Sequence, residues 1–67
     1  MNKFSERLKE LRLENNLSQR TLAKQIGVSQ AAIARWESNL QVPSIDNAIA
    51  LAKFFNVSTD YLLGLEN

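Results

Sequence analysis

Cysteine and histidine are both absent from the 67 residues of this chain. That excludes disulfides, thiolate or imidazole metal sites, and the side chain most often used as a general base. Glycine is scarce as well: Gly27 and Gly64 are the only two, too few for a loop that cradles phosphates. No apolar run approaches the roughly 20 residues of a membrane span. The opening Met1-Asn2-Lys3-Phe4 lacks the apolar core of a signal peptide. An excess of charge is missing too, with eight Lys and Arg against seven Asp and Glu for a net +1. Global charge therefore does not by itself suggest a nucleic-acid partner. These absences point away from an enzyme, a cofactor, a bound metal, a small-molecule effector or a membrane, and a cytoplasmic location is expected.

What is present suffices for one domain, residues 1–67, with an ordinary apolar share of 45%. A domain of this size is stabilised by roughly 3–10 kcal/mol. Helical punctuation is dense. Phe4, Leu8 and Leu11 recur at i, i+4 and i+7, the buried stripe of a first helix that Asn15-Asn16 ends. Ser18 caps a second helix carrying Leu22, Ala23 and Ile26 inward, and Gly27 stops it. Ser29 caps a third that runs to about Glu37, with Ile33 and Trp36 facing the core. Ser38-Asn39 ends that helix, and an extended connection follows from Leu40 to Pro43, which biases Val42 away from helix. Ser44 caps a fourth, whose inward stripe is read as Ile45, Ala48, Ile49, Ala52 and Phe55. Ser58 caps a short fifth through Leu63, ended by Gly64. The pattern predicts an all-α fold of five helices.

Residues 18–37, SQRTLAKQIGVSQAAIARWE, are two short helices joined by a tight turn containing glycine. That is the physical description of a helix-turn-helix, whose second helix projects from the surface. The likeness extends over nearly the whole chain. LKELR from Leu8, LSQRTLAKQIGVSQAAIARWE from Leu17, Pro43-Ser44, and LAKFFNVSTDYLLG from Leu51 together resemble the lambda-repressor-like family of phage repressors, Cro proteins and bacterial regulators. The resemblance implies a compact five-helix fold with the third helix in the major groove of double-stranded DNA. It further implies a homodimer on a near-palindromic operator and a role in transcription regulation, with repression by steric blocking as the simplest expectation.

Placing the third helix on a wheel of about 100° per residue divides its side chains. With Ile33 as the core direction, Ser29 and Trp36 lie within about 60° of it. Ala31 and Arg35 point nearly opposite, with Ala34 beside them, and Gln30 stands at the edge of the first turn. Gln30, Ala31, Ala34 and Arg35 are the candidate base readers. A glutamine suits adenine, an arginine suits guanine, and an alanine methyl can touch a thymine methyl. Solvated polar side chains on an exposed face are the plain alternative. Ser18, Gln19, Arg20, Ser29 and Gln41 are the phosphate candidates, since the N-terminus of a helix attracts anions. Arg20 stands where relatives commonly carry an acidic residue, and Asn39-Leu40 replace a glycine and a basic residue. Few charged contacts and a shallow salt dependence are therefore expected.

Arg12 and Glu37 both fall about 40° from their helices' core directions, and the resemblance implies an ion pair between them, two independent surface charges being the alternative. Trp36 points inward, away from any base-stacking role. Phe54, Leu63 and Leu65 are apolar beyond the needs of a minimal core. Either the fifth helix covers Phe54, or these residues are dimer contacts. A protein-interaction module of the same fold, an antitoxin or an adaptor, is the rival reading. The weak net charge and the apolar Leu40 and Val42 favour it.

Overall fold

The computed structural model describes residues 3–66. Its elements are α1 (Phe4–Glu14), α2 (Gln19–Ile26), α3 (Gln30–Glu37), α4 (Ile45–Phe55) and α5 (Thr59–Leu62), with no strand among the described residues. None of these helices is long and apolar enough to cross a membrane.

Serine starts four of them. The hydroxyl oxygens of Ser18, Ser29, Ser44 and Ser58 accept the backbone N–H groups of Thr21, Ala32, Asn47 and Tyr61 at 2.9–3.1 Å. Each bond satisfies one of the donors that a helix start leaves unpaired.

The helix ends are equally uniform. Asn16, Gly27, Asn39, Asn56 and Gly64 all have φ between 57° and 83°, which turns the chain off the helix axis. The next residue then returns its N–H to the carbonyl five positions back. These bonds are Leu17 to Arg12, Val28 to Ala23, Leu40 to Arg35, Val57 to Ala52 and Leu65 to Asp60, at 2.8–3.0 Å. All five helices thus share the long closing bond of the Schellman pattern, and an apolar residue follows the turning residue each time. Leu17, Val28 and Val57 pack against the core, whereas Leu40 and Leu65 remain exposed.

The core gathers Phe4, Leu8 and Leu11 of α1, Leu22 and Ala23 of α2, Ile33 and Trp36 of α3, Leu51 and Ala52 of α4, and Leu62 of α5. Phe4 meets Trp36 edge-on, with ring centroids 6.5 Å apart, a favoured aromatic geometry. One part of the helix-wheel expectation needs correcting. Ile45 and Ile49 of α4 do not face inward; they are 79% and 40% exposed. The buried face is Ala48, Leu51 and Ala52, with Phe55 half-buried beside them. Two apolar stripes overlap on this helix, and the one centred on Leu51 wins. Its small alanines admit close approach while Leu51 fills the space between helices.

Arg7 locks the chain ends together. Its guanidinium lies 4.2 Å from the centre of the Tyr61 ring and donates to the backbone carbonyls of Tyr61 and Glu66. Ser58 also donates to the Glu66 carboxylate at 2.6 Å. The result is that α5 and the segment after it are held against α1.

Candidate nucleic-acid interface

Helices α2 and α3 pack directly on one another, and α3 also packs on α1. Gly27 makes the tight turn possible: at φ 83° it is in the left-handed region, so α3 leaves in a new direction after only Val28 and the cap Ser29. Ile33 and Trp36 anchor the inner side of α3. Gln30, Ala31 and Arg35 are exposed on the other side, whereas Ala34 is half-buried between the two. The exposed row holds one amide, one methyl and one guanidinium, groups that match the edges of adenine, thymine and guanine.

A polar network ties the start of α2 to the end of α3. Arg12 of α1 donates from Nε to Glu37 Oε2 at 2.6 Å and from Nη2 to Glu37 Oε1 at 3.0 Å. Its Nη1 donates to the Leu17 carbonyl at 2.8 Å. Gln19 Nε2 adds a further bond to Glu37 Oε1 at 3.1 Å. The side chains of Arg12 and Glu37 are only 11% and 5% exposed. The Arg12 pKa lies above the ordinary arginine value. The Glu37 hydrogen bond raises it most, burial opposes this, and the charge of Glu37 adds to the rise. A guanidinium with three hydrogen bonds and a paired carboxylate can be buried without a stranded charge.

The phosphate candidates separate under this geometry. Ser18 accepts from Thr21 N–H and donates its own proton to Thr21 Oγ1 at 2.9 Å, so its hydroxyl is committed within the helix start. Thr21, which sequence reasoning did not single out, carries that hydrogen bond outward; only its spacing from Ser18 hinted at it. The backbone N–H groups of Gln19 and Arg20 occupy the first turn and have no acceptor among the described residues, as is usual at helix starts. Gln19 spends one amide N–H on Glu37 and keeps the other. Arg20 and Lys24 are exposed. Ser29 caps α3, and Gln41, exposed in the loop after α3, accepts from Arg35 Nε at 3.0 Å.

The apolar surplus is spread out. Phe54 is 39% exposed and meets Phe55 edge-on at 5.0 Å, Leu65 is 70% exposed, and Leu63 is half-buried against the core. The fifth helix leaves Phe54 partly uncovered. Leu40 and Val42, in the loop after α3, and Ile45 and Ile49 of α4 are further exposed apolar residues. Among the described residues no group of His, Cys, Asp or Glu could hold a metal ion.

This constellation of a capped α2, a glycine turn and an α3 with a buried and a bare face defines a helix-turn-helix domain. A family model described as "Helix-turn-helix" matches residues 8–62. The chain belongs to this family, in its lambda-repressor-like branch. Among its relatives, the HTH-type transcriptional activator BcrR of Enterococcus faecalis is 43% identical over 63 residues, covering 94% of this chain and 31% of BcrR. The crystal structure of the P22 c2 repressor in complex with a synthetic operator superposes with a TM-score of 0.88 at 36% identity, over 94% of this chain and 96% of that one. A transcriptional regulator from Listeria innocua gives a TM-score of 0.92 at 30% identity, over 100% of this chain and 63% of that one. This chain spans about a third of the length of BcrR and between 28% and 55% of two further curated regulators that it matches. By name these relatives are transcriptional regulators, an activator and a repressor among them.

Proposed function

We propose that this chain binds double-stranded DNA sequence-specifically, with α3 in the major groove, and acts as a transcriptional regulator of the repressor type. The observation that carries this reading is the exposed row of Gln30, Ala31 and Arg35 on a helix whose opposite face is anchored by Ile33 and Trp36. Beside it, the unpaired N–H groups of Gln19 and Arg20, the second amide proton of Gln19 and the Arg20 side chain offer a phosphate site. The P22 repressor, which has the same fold, binds an operator, and that supports the assignment. One recognition helix reads only a few base pairs, so two copies on a near-palindromic site about 34 Å apart complete the reading. Phe54, Leu63 and Leu65 are the contacts we assign to that pairing. Transcription regulation places the work in the cytoplasm.

The test is selection of bound duplexes from a random DNA pool by the purified chain. Recovery of one palindromic sequence with half-sites one helical turn apart is expected. Recovery of no preferred sequence would remove the reading. A second reading, an adaptor that binds a partner protein, draws on the exposed Leu40, Val42, Ile45 and Ile49; failed selection would favour it.

A further inference from the structure

We infer that Gln41 is a positioning residue that presets Arg35 for end-on readout of a guanine, an inference that rests on the DNA-binding reading above. The backbone brings the two together. After α3, Asn39 takes φ 61°, and Leu40 returns its N–H to the Arg35 carbonyl at 2.9 Å. This closure folds the loop back along the last turn of α3. Gln41, the next residue, reaches Arg35 there, its Oε1 accepting from Nε at 3.0 Å. Pro43 stiffens the exit by restricting Val42. The contact thus lies between a helix turn and a loop fastened to the same turn.

The chemistry of the guanidinium decides what that contact does. Arginine has five N–H donors in a planar fork. With Nε engaged, the side edge made by Nε and one Nη is closed, and the end edge made by both Nη groups remains. That end edge matches guanine O6 and N7 in the major groove. An unrestrained arginine near a duplex also has a competing choice, the phosphates on either side, which attract it without regard to sequence. Fixing Nε narrows the directions open to the fork and removes part of the ordering that docking would otherwise require. Gln41 keeps its own amide N–H groups and can donate them to a phosphate. A residue that looks from its position like a backbone contact thereby acts on sequence preference.

Four proteins separate these roles: the unchanged chain, Arg35→Ala, Gln41→Ala and Gln41→Glu, each measured against the selected operator and its single-base variants. Arg35→Ala identifies the base position that Arg35 reads. At that position Gln41→Ala is expected to reduce the preference for guanine by roughly three- to tenfold, the worth of one hydrogen bond, and to leave the other positions unchanged. Gln41→Glu still accepts from Nε, so it keeps the guanine preference although added negative charge weakens binding to every sequence. If Gln41→Ala weakens all sequences alike and leaves the guanine preference intact, Gln41 is a backbone contact only and the inference falls. If Arg35→Ala changes no base preference while the chain still selects an operator, the role of Arg35 and that of Gln41 both fall, and DNA binding survives. Failure of the unchanged chain to select any sequence removes the underlying reading instead. Gln41 is exposed, and circular dichroism of each variant checks that the helices persist.

Discussion

Glu37, the last residue of the exposed helix, grips Arg12 of α1 through two parallel bonds, Nε to Oε2 at 2.6 Å and Nη2 to Oε1 at 3.0 Å. The same carboxylate also holds Gln19 at the start of α2. One ion pair therefore ties the end of α3 to the Gln19 amide, the group we propose as a phosphate contact.

Arg12→Ala should lower unfolding stability by about 3 kcal/mol, because it leaves a buried carboxylate without its partner. In a domain stabilised by roughly 3–10 kcal/mol in all, that is a large share. The double variant Arg12→Met with Glu37→Leu should recover most of the loss, since an apolar pair carries no desolvation penalty. It should nevertheless bind operator more weakly than the unchanged chain, because Gln19 has lost its acceptor. Urea denaturation and operator titration of the three proteins measure both effects. A double variant as unstable as the single one would show that packing, not charge, holds this junction. The raised Arg12 pKa sets the sign of any pH effect. Stability from this charge is present below the unfolded arginine value and is lost only as pH rises through the still higher folded one. The Arg12 charge therefore adds no pH dependence across the neutral range.

Gly64→Ala and Gly27→Ala should differ, although both residues have φ near 80°. A Cβ on Gly64 would lie 2.6 Å from Lys3 N and 3.0 Å from Lys3 Cβ, whereas one on Gly27 meets nothing within 4 Å. Gly27→Ala carries only the left-handed conformational cost, about 1 kcal/mol. Gly64→Ala adds a backbone clash, and about 2 kcal/mol or more is expected. Thermal melts should show a drop of roughly 10 °C for Gly64→Ala and about half that for Gly27→Ala. Equal drops would mean that the Lys3 backbone yields freely.

Much of this was readable in the sequence because the local signals agree with one another. Serine caps, asparagine or glycine stops and short connections located all five helices, and the wheel separated Ile33 and Trp36 from Gln30, Ala31 and Arg35. The misreading of Ile45 and Ile49 came from a helix with two overlapping apolar stripes, where only the neighbouring helices decide which one is buried. Leu40 and Leu65 looked like surplus apolar residues. Both are exposed, and each also follows the left-handed residue that closes a helix, as Leu17, Val28 and Val57 do. The recurring Asn-Leu, Gly-Val, Asn-Leu, Asn-Val and Gly-Leu pairs were the available sign. Arg7 left no sign, because burying an arginine depends on a ring and two carbonyls more than 50 positions away. The bonds from Arg35 to Gln41 and from Gln19 to Glu37 were equally hidden, since side-chain pairing across a turn depends on the path of the turn.

Salt dependence tests the phosphate side of the interface. Each neutralised phosphate contributes about 0.9 to the slope of log affinity against log salt. Arg20 is exposed in the first turn of α2, while the loop at residues 38–43 carries no charge. Arg20→Ala should lower the slope by about 1 per copy and weaken binding to all sequences alike. A slope for the unchanged chain equivalent to six or more phosphates per copy would show that cations beyond Arg20 and Arg35 reach the backbone.

The pairing surface can be located by placing charge on it. Phe54 and Leu65 are 39% and 70% exposed, and Ile49, on a different face of α4, is 40% exposed. Burying one large apolar side chain contributes about 1.5–3 kcal/mol, and a two-fold interface counts each residue twice. Leu65→Lys or Phe54→Lys should therefore weaken self-association by roughly 100-fold. Each should reduce affinity for a full palindrome while leaving affinity for an isolated half-site unchanged. Ile49→Lys serves as the contrast and should leave the dimer intact. Sedimentation at graded concentrations reads the association directly. Loss of the dimer with Ile49→Lys, and its survival with Leu65→Lys, would move the interface to the face of α4 that carries Ile45 and Ile49. Ile45 begins α4 directly after the loop that holds Gln41, so a dimer formed there would set the half-site spacing through that loop.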